Sequence, residues 1–430
     1  MLTKIRNNKL LKNLSWILFG SVIHAVFSFI LSVVAARSFS TTEYGMLSYA
    51  LSLTTLFSSL CALGLNVIIT KEIADDEKQV GNIMASGIIL RLMAAVIAIS
   101  LMFLYLFIKG SKDSSTAIIA IYSLSIVFAA FDLFMYWFRY EYKSNVAAIL
   151  KLIAFLISAT IKVIAISVNS IIIFAIGAIA ESLFYGVLLL QRYIKERGFD
   201  LKPSLVREKR LFTAAKPFIF SSVLVAIYSQ TDRVMLEAMV GYDSVAQYSV
   251  CYTLANVIAI ALSSLSEAFR PEILKARTTD PAKYIKLFKQ LYGLIFWVST
   301  IYGLFITIFS RYVLLIIYGE KYLPAQTALK LIVWYSSFSY FGAVHSIYMV
   351  AENKTKWVQA LTLIGAGSNI VINCILIPKM GAAGAALASL LTQIIANFVV
   401  PLIIPQLRPM ALLTVKGIIS IKSIAKGFSV

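Results

Sequence analysis

Charge is scarce in this 430-residue chain. Asp, Glu, Lys and Arg make up only 14% of it, against about a quarter in a soluble domain. With 60% hydrophobic residues and a mean hydropathy of +0.85, that scarcity excludes a soluble globular protein. Cysteine is scarcer still. Cys61, Cys251 and Cys374 each lie in an apolar run with no second Cys or His at metal spacing. That excludes a disulfide framework and a zinc site, and all three read as small core residues. No P-loop is present: Gly381-Ala382-Ala383-Gly384 lacks the Gly-Lys-Ser/Thr ending and reads as a packing feature of a helix. Neither a nucleophile constellation nor a metal cluster occurs, so no metal and no cofactor is expected. Asp75-Asp76-Glu77 stands in a short charged loop with no nucleotide-binding domain around it, and reads as solvated. What charge there is leans one way, to a formal +19. In a soluble chain that would point to nucleic acid. Here nucleic acid is not expected, because basic residues collect in loops beside anionic lipid headgroups.

Long apolar runs are abundant. A helix needs about 20 mostly apolar residues to cross the hydrocarbon. Twelve segments qualify: roughly 14–34, 45–69, 81–108, 116–138, 147–168, 171–190, 217–240, 246–268, 288–309, 326–350, 358–377 and 383–405. Open strands would leave backbone groups unsatisfied in lipid, so the expected fold is an all-α integral membrane protein. The first run follows Lys4, Arg6, Lys9 and Lys12. It is too long for a signal-peptide core and reads as a retained first span.

Lys and Arg set the expected orientation. With the N-terminus in the cytoplasm, cytoplasmic segments hold 28 of them, and the opposite side holds only Arg37, Lys109, Lys112, Arg311, Lys321 and Lys379. Both termini are therefore expected in the cytoplasm. The largest connection, 191–216, carries eight basic residues and falls between the sixth and seventh spans. The expected organisation is a six-helix bundle over 1–190, a basic linker over 191–216, a second bundle over 217–405 and a cytoplasmic tail over 406–430. The two halves are weak repeats. Thr42-Glu43-Tyr44-Gly45-Met46-Leu47-Ser48-Tyr49 matches Asp243-Ser244-Val245-Ala246-Gln247-Tyr248-Ser249-Val250 at a shift of 201 residues. An even number of helices per repeat preserves orientation, so the bundles are expected to be related by a pseudo-two-fold axis along the membrane normal.

Five patterns carry a family resemblance. They are Ala35-Ala36-Arg37 with Glu43-Tyr44-Gly45; Gly64-Leu65 with Thr70-Lys71-Glu72-Ile73-Ala74; Thr231-Asp232-Arg233-Val234-Met235-Leu236 with Ala246-Gln247-Tyr248-Ser249; Tyr318-Gly319-Glu320-Lys321-Tyr322-Leu323-Pro324-Ala325; and Pro378-Lys379-Met380-Gly381-Ala382-Ala383-Gly384-Ala385-Ala386. In this order the chain resembles the polysaccharide-repeat-unit (O-antigen type) flippases of the multidrug/oligosaccharidyl-lipid/polysaccharide exporter superfamily. One departure is Glu237, which stands where that family usually has glycine. The resemblance implies two six-helix bundles around a central cleft. It also implies an oligosaccharide substrate on a polyprenyl pyrophosphate carrier, a role in O-antigen, lipopolysaccharide or capsule biosynthesis, and a bacterial inner (cytoplasmic) membrane location. A polysaccharide polymerase and a chain-length regulator are implied partners.

Moving a pyrophosphate across a bilayer desolvates its negative charges. Fixed cations would offset that, and arginine matches phosphate geometry best. Ionised side chains at membrane depth cost about 2.5–3.5 kcal/mol each, so those that occur call for a reason. The substrate-binding candidates are Arg233, Asp232, Arg91, Arg37, Lys162 and Lys330. Each also has a plainer reading. Arg91, Lys162 and Lys330 can snorkel to headgroups, Arg37 can anchor the interface, and Asp232 and Arg233 can neutralise one another. Glu181, Asp132 and His24 are the candidates for ion coupling. Glu181 stands near the middle of the sixth span, and pairing with Lys162 is its simpler reading.

Three functions are then in competition. A lipid-linked oligosaccharide flippase accounts for the spans, the repeats and the internal cations. A cation-coupled multidrug exporter of the same fold calls for buried acids, whereas here cations at least equal acids. A polymerase or ligase would need a large external loop, and the longest, 310–325, has 16 residues, so an enzyme is not expected.

Overall fold

The computed structural model describes residues 2–110 and 114–419, except for the side chains at positions 2–15, 17–19, 67 and 217. Lys112 and the tail beyond Ile419 fall outside the described residues, as do the side chains of Lys4, Arg6, Lys9 and Lys12. Helix dominates, and no strand occurs among the described residues. In order, the helices are α1 (Leu2–Ser38), α2 (Thr41–Ala62), α3 (Leu65–Asp75), α4 (Val80–Lys109), α5 (Ser114–Phe128), α6 (Phe134–Tyr140), α7 (Ser144–Ser167), α8 (Ile171–Arg197), α9 (Leu205–Met239), α10 (Tyr242–Ala255), α11 (Ala259–Thr279), α12 (Pro281–Ile317), α13 (Gln326–Ile332), α14 (Tyr335–Ala351), α15 (Lys356–Ile394), α16 (Val400–Ile403) and α17 (Arg408–Ile419).

Among the described residues, eight helical stretches are long and apolar enough to cross a membrane, or ten if two bent pairs each count as one span. The shortfall from twelve has identifiable causes. The stretch expected over 326–350 divides into α13 and α14 at Val333-Trp334, and neither piece is long enough alone. The last two expected spans form one run, Lys356–Ile403, broken at Gly381 with φ 53° and ψ −128°. That backbone conformation strains any residue with a Cβ. Just beyond it, a Cβ on Gly384 would lie 2.3 Å from the Leu376 carbonyl oxygen. Residues eight apart approach so closely only where the chain folds back on itself.

The 201-residue repeat is visible at the helix ends. Ser38 and Met239 end α1 and α9, and Thr41 and Tyr242 open α2 and α10; each pair stands 201 apart. The turns themselves are built differently. Ser40 caps α2 reciprocally with Glu43, its backbone N–H donating to Glu43 Oε2 at 2.9 Å while its Oγ accepts from the Glu43 N–H at 3.2 Å. The second copy uses Gly241, at φ 111°, with no side-chain cap.

The chain divides into two compact units, Met1–Gln230 and Thr231–Val430. In the first, Trp137, Phe134 and Phe138 of α6 pack with Tyr193 of α8, the Phe134 and Trp137 rings lying 4.7 and 5.0 Å from Tyr193. The most extensive contact joins α7 and α8. The hydrophobic effect does not drive such contacts inside lipid, so close fit must. Gly177 shows this, since a Cβ there would meet Lys162 Cγ at 2.7 Å and the Ser158 carbonyl at 3.3 Å.

The basic connection between the sixth and seventh spans is docked on this unit. Arg207, at the start of α9, donates to Glu72 Oε2 at 2.9 Å, Asp76 Oδ2 at 3.1 Å, Gln79 Oε1 at 3.1 Å and Asn82 Oδ1 at 3.4 Å. Arg210 also reaches Glu72, at 3.0 Å. Asn82 donates to the Lys202 carbonyl at 2.9 Å, and the Ser204 N–H donates to Ser86 Oγ at 3.1 Å.

In the second unit, Phe288, Tyr292, Phe341 and Tyr348 form the centre of a core shared by α12 and α14. Part of the expected cytoplasmic tail belongs to it. α17 packs against α12 with Met410, Ala411 and Thr414 buried, and Thr414 Oγ1 lies 3.3 Å from His345 Nε2. The spacing of these three puts them on one face of α17, which that core covers. Cys61 and Cys251 are buried, whereas Cys374 is exposed.

Candidate functional site

In the first unit, α1, α6, α7 and α8 enclose a cavity of about 80 Å³, room for several waters. Its wall includes Ser21 and His24 of α1, Arg139 of α6, Lys151 of α7 and Tyr185 of α8. His24 Nε2 is bonded to Glu181 Oε1 at 2.8 Å, and its ring stands edge-on to Phe155 at 4.9 Å. On the other side of the same carboxylate, Lys162 Nζ is 4.0 Å from Oε2, and that ammonium lies 5.8 Å from the centre of the Phe174 ring. Three helices therefore converge on Glu181: α1 through His24, α7 through Lys162, and α8, which carries it.

Arg91 and Asp132 lie in the interior of this unit too. The α5–α6 span passes through a 3₁₀ stretch, Ala129–Leu133, where the helical ladder is interrupted and carbonyls are freed for other donors. Arg91 uses one of them, donating to the Ala129 carbonyl at 3.2 Å. It is only 7% exposed, so snorkelling does not describe it. Among the described residues, Arg91 Nε and Asp132 Oδ1 are buried without a hydrogen-bond partner.

Asp232 and Arg233 are neighbours with different surroundings. Asp232 is 5% exposed and takes four hydrogen bonds, all from neutral donors. Asn369 and Asn373 donate to Oδ1 at 3.0 and 2.7 Å; Tyr248 and Ser389 donate to Oδ2, both at 2.5 Å. Asn373 also donates to Asn369 Oδ1 at 3.0 Å, and the Tyr248 and Ser389 hydroxyls are 3.0 Å apart. This nest joins α9, α10 and both arms of α15. Arg233 instead donates from Nε to Ser249 Oγ at 3.0 Å, and its guanidinium lies over the Tyr252 ring at 4.6 Å. The lengthwise order explains the split. On a helix, adjacent residues point about 100° apart, so one enters the core of the unit and the other does not.

Arg37 and Lys330 are exposed, on α1 and α13. Among the sequence candidates, the structure thus gathers His24, Lys162 and Glu181, buries Arg91 near Asp132, and separates Asp232 from Arg233 in role. Sequence reasoning passed over Lys151 and Arg139. Lys151 lies only four residues inside the expected fifth span, and Arg139 was assigned to the loop after the fourth. Helical facing rather than depth decides both, and a lysine or arginine at a span end opposite a histidine in a neighbouring span was the signal available. No group of three or more His, Cys, Asp or Glu that could hold a metal occurs among the described residues.

An all-helical multi-pass membrane protein with ionised groups held in its interior is the class these features define. Its fold matches an inward-facing multidrug resistance MATE transporter of the MOP superfamily, with a TM-score of 0.71 over 91% of this chain and 95% of that one, at 15% identity. It also matches the lipid II flippase MurJ in an inward closed conformation, with a TM-score of 0.68 over 92% and 90%, again at 15% identity. At sequence level, the capsular polysaccharide biosynthesis protein CapF of Staphylococcus aureus is 22% identical over 407 residues, covering 90% of this chain and 97% of CapF. The profile of the polysaccharide biosynthesis protein family matches residues 10–276, and the chain belongs to that family.

Proposed function

We propose that this protein is a flippase for polyprenyl-pyrophosphate-linked oligosaccharide, moving O-antigen or capsule repeat units from the cytoplasmic to the periplasmic face. The observation that carries this reading is the basic cavity of α1, α6, α7 and α8 in a chain of this family. Lys151 and Arg139 supply fixed positive charge for a pyrophosphate, and His24 and Ser21 supply further polar contacts. One lost charge-assisted hydrogen bond is worth about 1.5–3 kcal/mol. Lys151→Gln is therefore expected to weaken headgroup binding by roughly ten- to a hundredfold. Arg233, Arg91, Arg37, Lys162, Lys330 and Asp232 are the further residues assigned to the transport path or its support. Glu181, with His24 and Asp132, is assigned to ion coupling.

The membrane arrangement we propose has twelve crossings in two six-helix bundles, 1–190 and 217–405. Both termini face the cytoplasm of the bacterial inner membrane, and a pseudo-two-fold relates the bundles. The turn at Gly381 and the repeat of helix ends at 201 residues support it. Transport proceeds by alternating access, the lipid tail remaining in the bilayer; no bond is made or broken. Polymerase and chain-length regulator stand downstream as partners. Deletion is expected to leave undecaprenyl-linked repeat units on the cytoplasmic face. Finding them at normal levels on the periplasmic face, in a strain without a second flippase, would sink the proposal.

The fold match to a MATE transporter favours one alternative, a cation-coupled multidrug exporter. A drug-susceptibility panel unchanged on deletion removes it.

A further inference from the structure

A second concavity in the first unit has the opposite character to the basic cavity. The end of α2, the middle of α4 and the start of α9 enclose an apolar groove of about 550 Å³. Its wall includes Leu60 of α2, Leu90, Met93, Ile97 and Leu101 of α4, and Phe212 of α9. The four α4 residues form one stripe along the helix, and eleven residues of rise make it roughly 16 Å long. Met93 and Ile97 are each 57% exposed, so the groove is open along its length. The polar lining consists of Glu208 and Lys209, adjacent on α9. A second ammonium, on Lys216, lies 5.7 Å from the centre of the Phe212 ring. The α9 wall is held in place, because Arg207 is clamped to Glu72 and Asp76 and reaches Asn82 on α4 itself.

An apolar helix face in lipid needs no explanation. A concave one, with its far wall locked and ammonium groups at the α9 side, is built for a chain that carries an anionic head. We propose that this groove, open to the bilayer, is where the lipid-linked substrate loads: it holds the polyprenyl chain, with the first phosphates by Lys209 and Lys216 before the headgroup passes to Lys151 and Arg139. The assignment rests on the flippase reading and gives the carrier lipid a place on the protein. Charge complementarity selects the occupant. Arg207 and Arg210 are taken up by Glu72 and Asp76, so the charge the start of α9 turns to the groove is Lys209 and Lys216 against Glu208, two ammonium groups that suit a phosphate-bearing head better than a zwitterionic one. A long chain laid along a fixed groove also loses less freedom on binding than one that must order the site.

The test is photocrosslinking of the full chain from Ile97→p-benzoylphenylalanine. The protein is placed in phosphatidylethanolamine and phosphatidylglycerol vesicles that contain undecaprenyl pyrophosphate as a minor component. The expected result is isoprenoid adducts enriched over their share of the lipid by about tenfold or more, the ratio that ~1.4 kcal/mol of preference produces. Lys209→Gln with Lys216→Gln is expected to abolish the enrichment. From Val96→p-benzoylphenylalanine, 64% exposed on the same helix but outside the groove, adducts should follow the bulk lipid ratio. Phospholipid adducts at the bulk ratio from position 97 overturn the proposal. In cells, Ala94→Trp, which fills the groove, should reduce export while Val96→Trp does not; equal effects also overturn it. If the wild type exports repeat units but no isoprenoid enrichment appears, the groove assignment fails and the flippase reading stands. If enrichment appears but the deletion strain exports normally, the flippase reading fails and the groove remains a polyprenyl site.

Discussion

Asp232→Asn separates a structural carboxylate from one that meets substrate. The native side chain accepts four hydrogen bonds, two on each oxygen. An amide of the same shape keeps one oxygen and replaces the other with an NH₂. The favoured turn keeps the amide oxygen towards Asn369 and Asn373 and puts the NH₂ towards Tyr248 and Ser389. Their hydroxyls must then turn from donors into acceptors, so both of their bonds to the charged oxygen are lost. Hydrogen bonds to a charged group are worth about 1.5–3 kcal/mol each, so the loss is roughly 3–6 kcal/mol. The Asn373–Asn369 bond survives, and neutral bonds from the new NH₂ to the two hydroxyls replace part of what is lost, which puts the expected value towards the lower end. Total stability of a domain is about 5–15 kcal/mol, so even the lower end is a large share. At about 2–4 °C per kcal/mol for a unit of this size, the thermal midpoint should fall by on the order of 10 °C. The measurement is the heat-induced loss of monodisperse protein in detergent, followed by fluorescence-detected size exclusion. Arg233→Ala is the comparison. It removes the hydrogen bond to Ser249 and the cation–π contacts with Tyr252 and Tyr248, about 1–3 kcal/mol together on a partly exposed side chain, and should move the midpoint by less than Asp232→Asn does. A midpoint for Asp232→Asn within about 2 °C of wild type, with export lost, would refute the reasoning and return Asp232 to the transport path.

Three further outcomes are expected. Arg233→Ala should weaken complementation of a flippase deletion while membrane insertion is retained, and full complementation removes its assigned role. Arg207→Ala leaves Glu72, only 8% exposed, with the largely exposed Arg210 as its remaining ion-pair partner. Truncating one member of a buried pair costs about 3–5 kcal/mol, so protease cleavage in 198–206 should accelerate, and an unchanged rate sinks the clamp. Gly177→Ala should destabilise by about 1–3 kcal/mol through overpacking, because its new Cβ meets Lys162 Cγ. Because Lys162→Ala also takes a partner from Glu181, the readout is a double-mutant cycle: the Gly177→Ala cost should be smaller in the Lys162→Ala background than in the wild type, and an equal cost would place the strain elsewhere.

The helical class was legible because lipid leaves a long apolar segment almost no alternative to helix. The family was legible too, through motifs such as Thr231-Asp232-Arg233 and Tyr318-Gly319-Glu320. The 201-residue repeat was readable because both copies turn at the same point, one helix ending at Ser38 or Met239 and the next opening at Thr41 or Tyr242. Breaks were not. The interruption at Leu63-Gly64, where both residues have positive φ, lies inside a run whose hydropathy never falters. Nor was the packing legible for α17, which has too few residues to read as a span but enough on one face to join the core of its unit.

Hydropathy and charge order by themselves determined that the chain is a multi-span helical membrane protein with ionised residues it had to accommodate. They act residue by residue against the solvent, and so they can be read in one dimension. Only the tertiary structure decided what each ionised residue does. The donors that hold Asp232 come from as far away as Ser389, 157 residues on, and Arg207 finds Glu72 across 135. Side-chain partners inside a low-dielectric interior are chosen by distance and direction, and both arise from the packing of helices far apart in sequence.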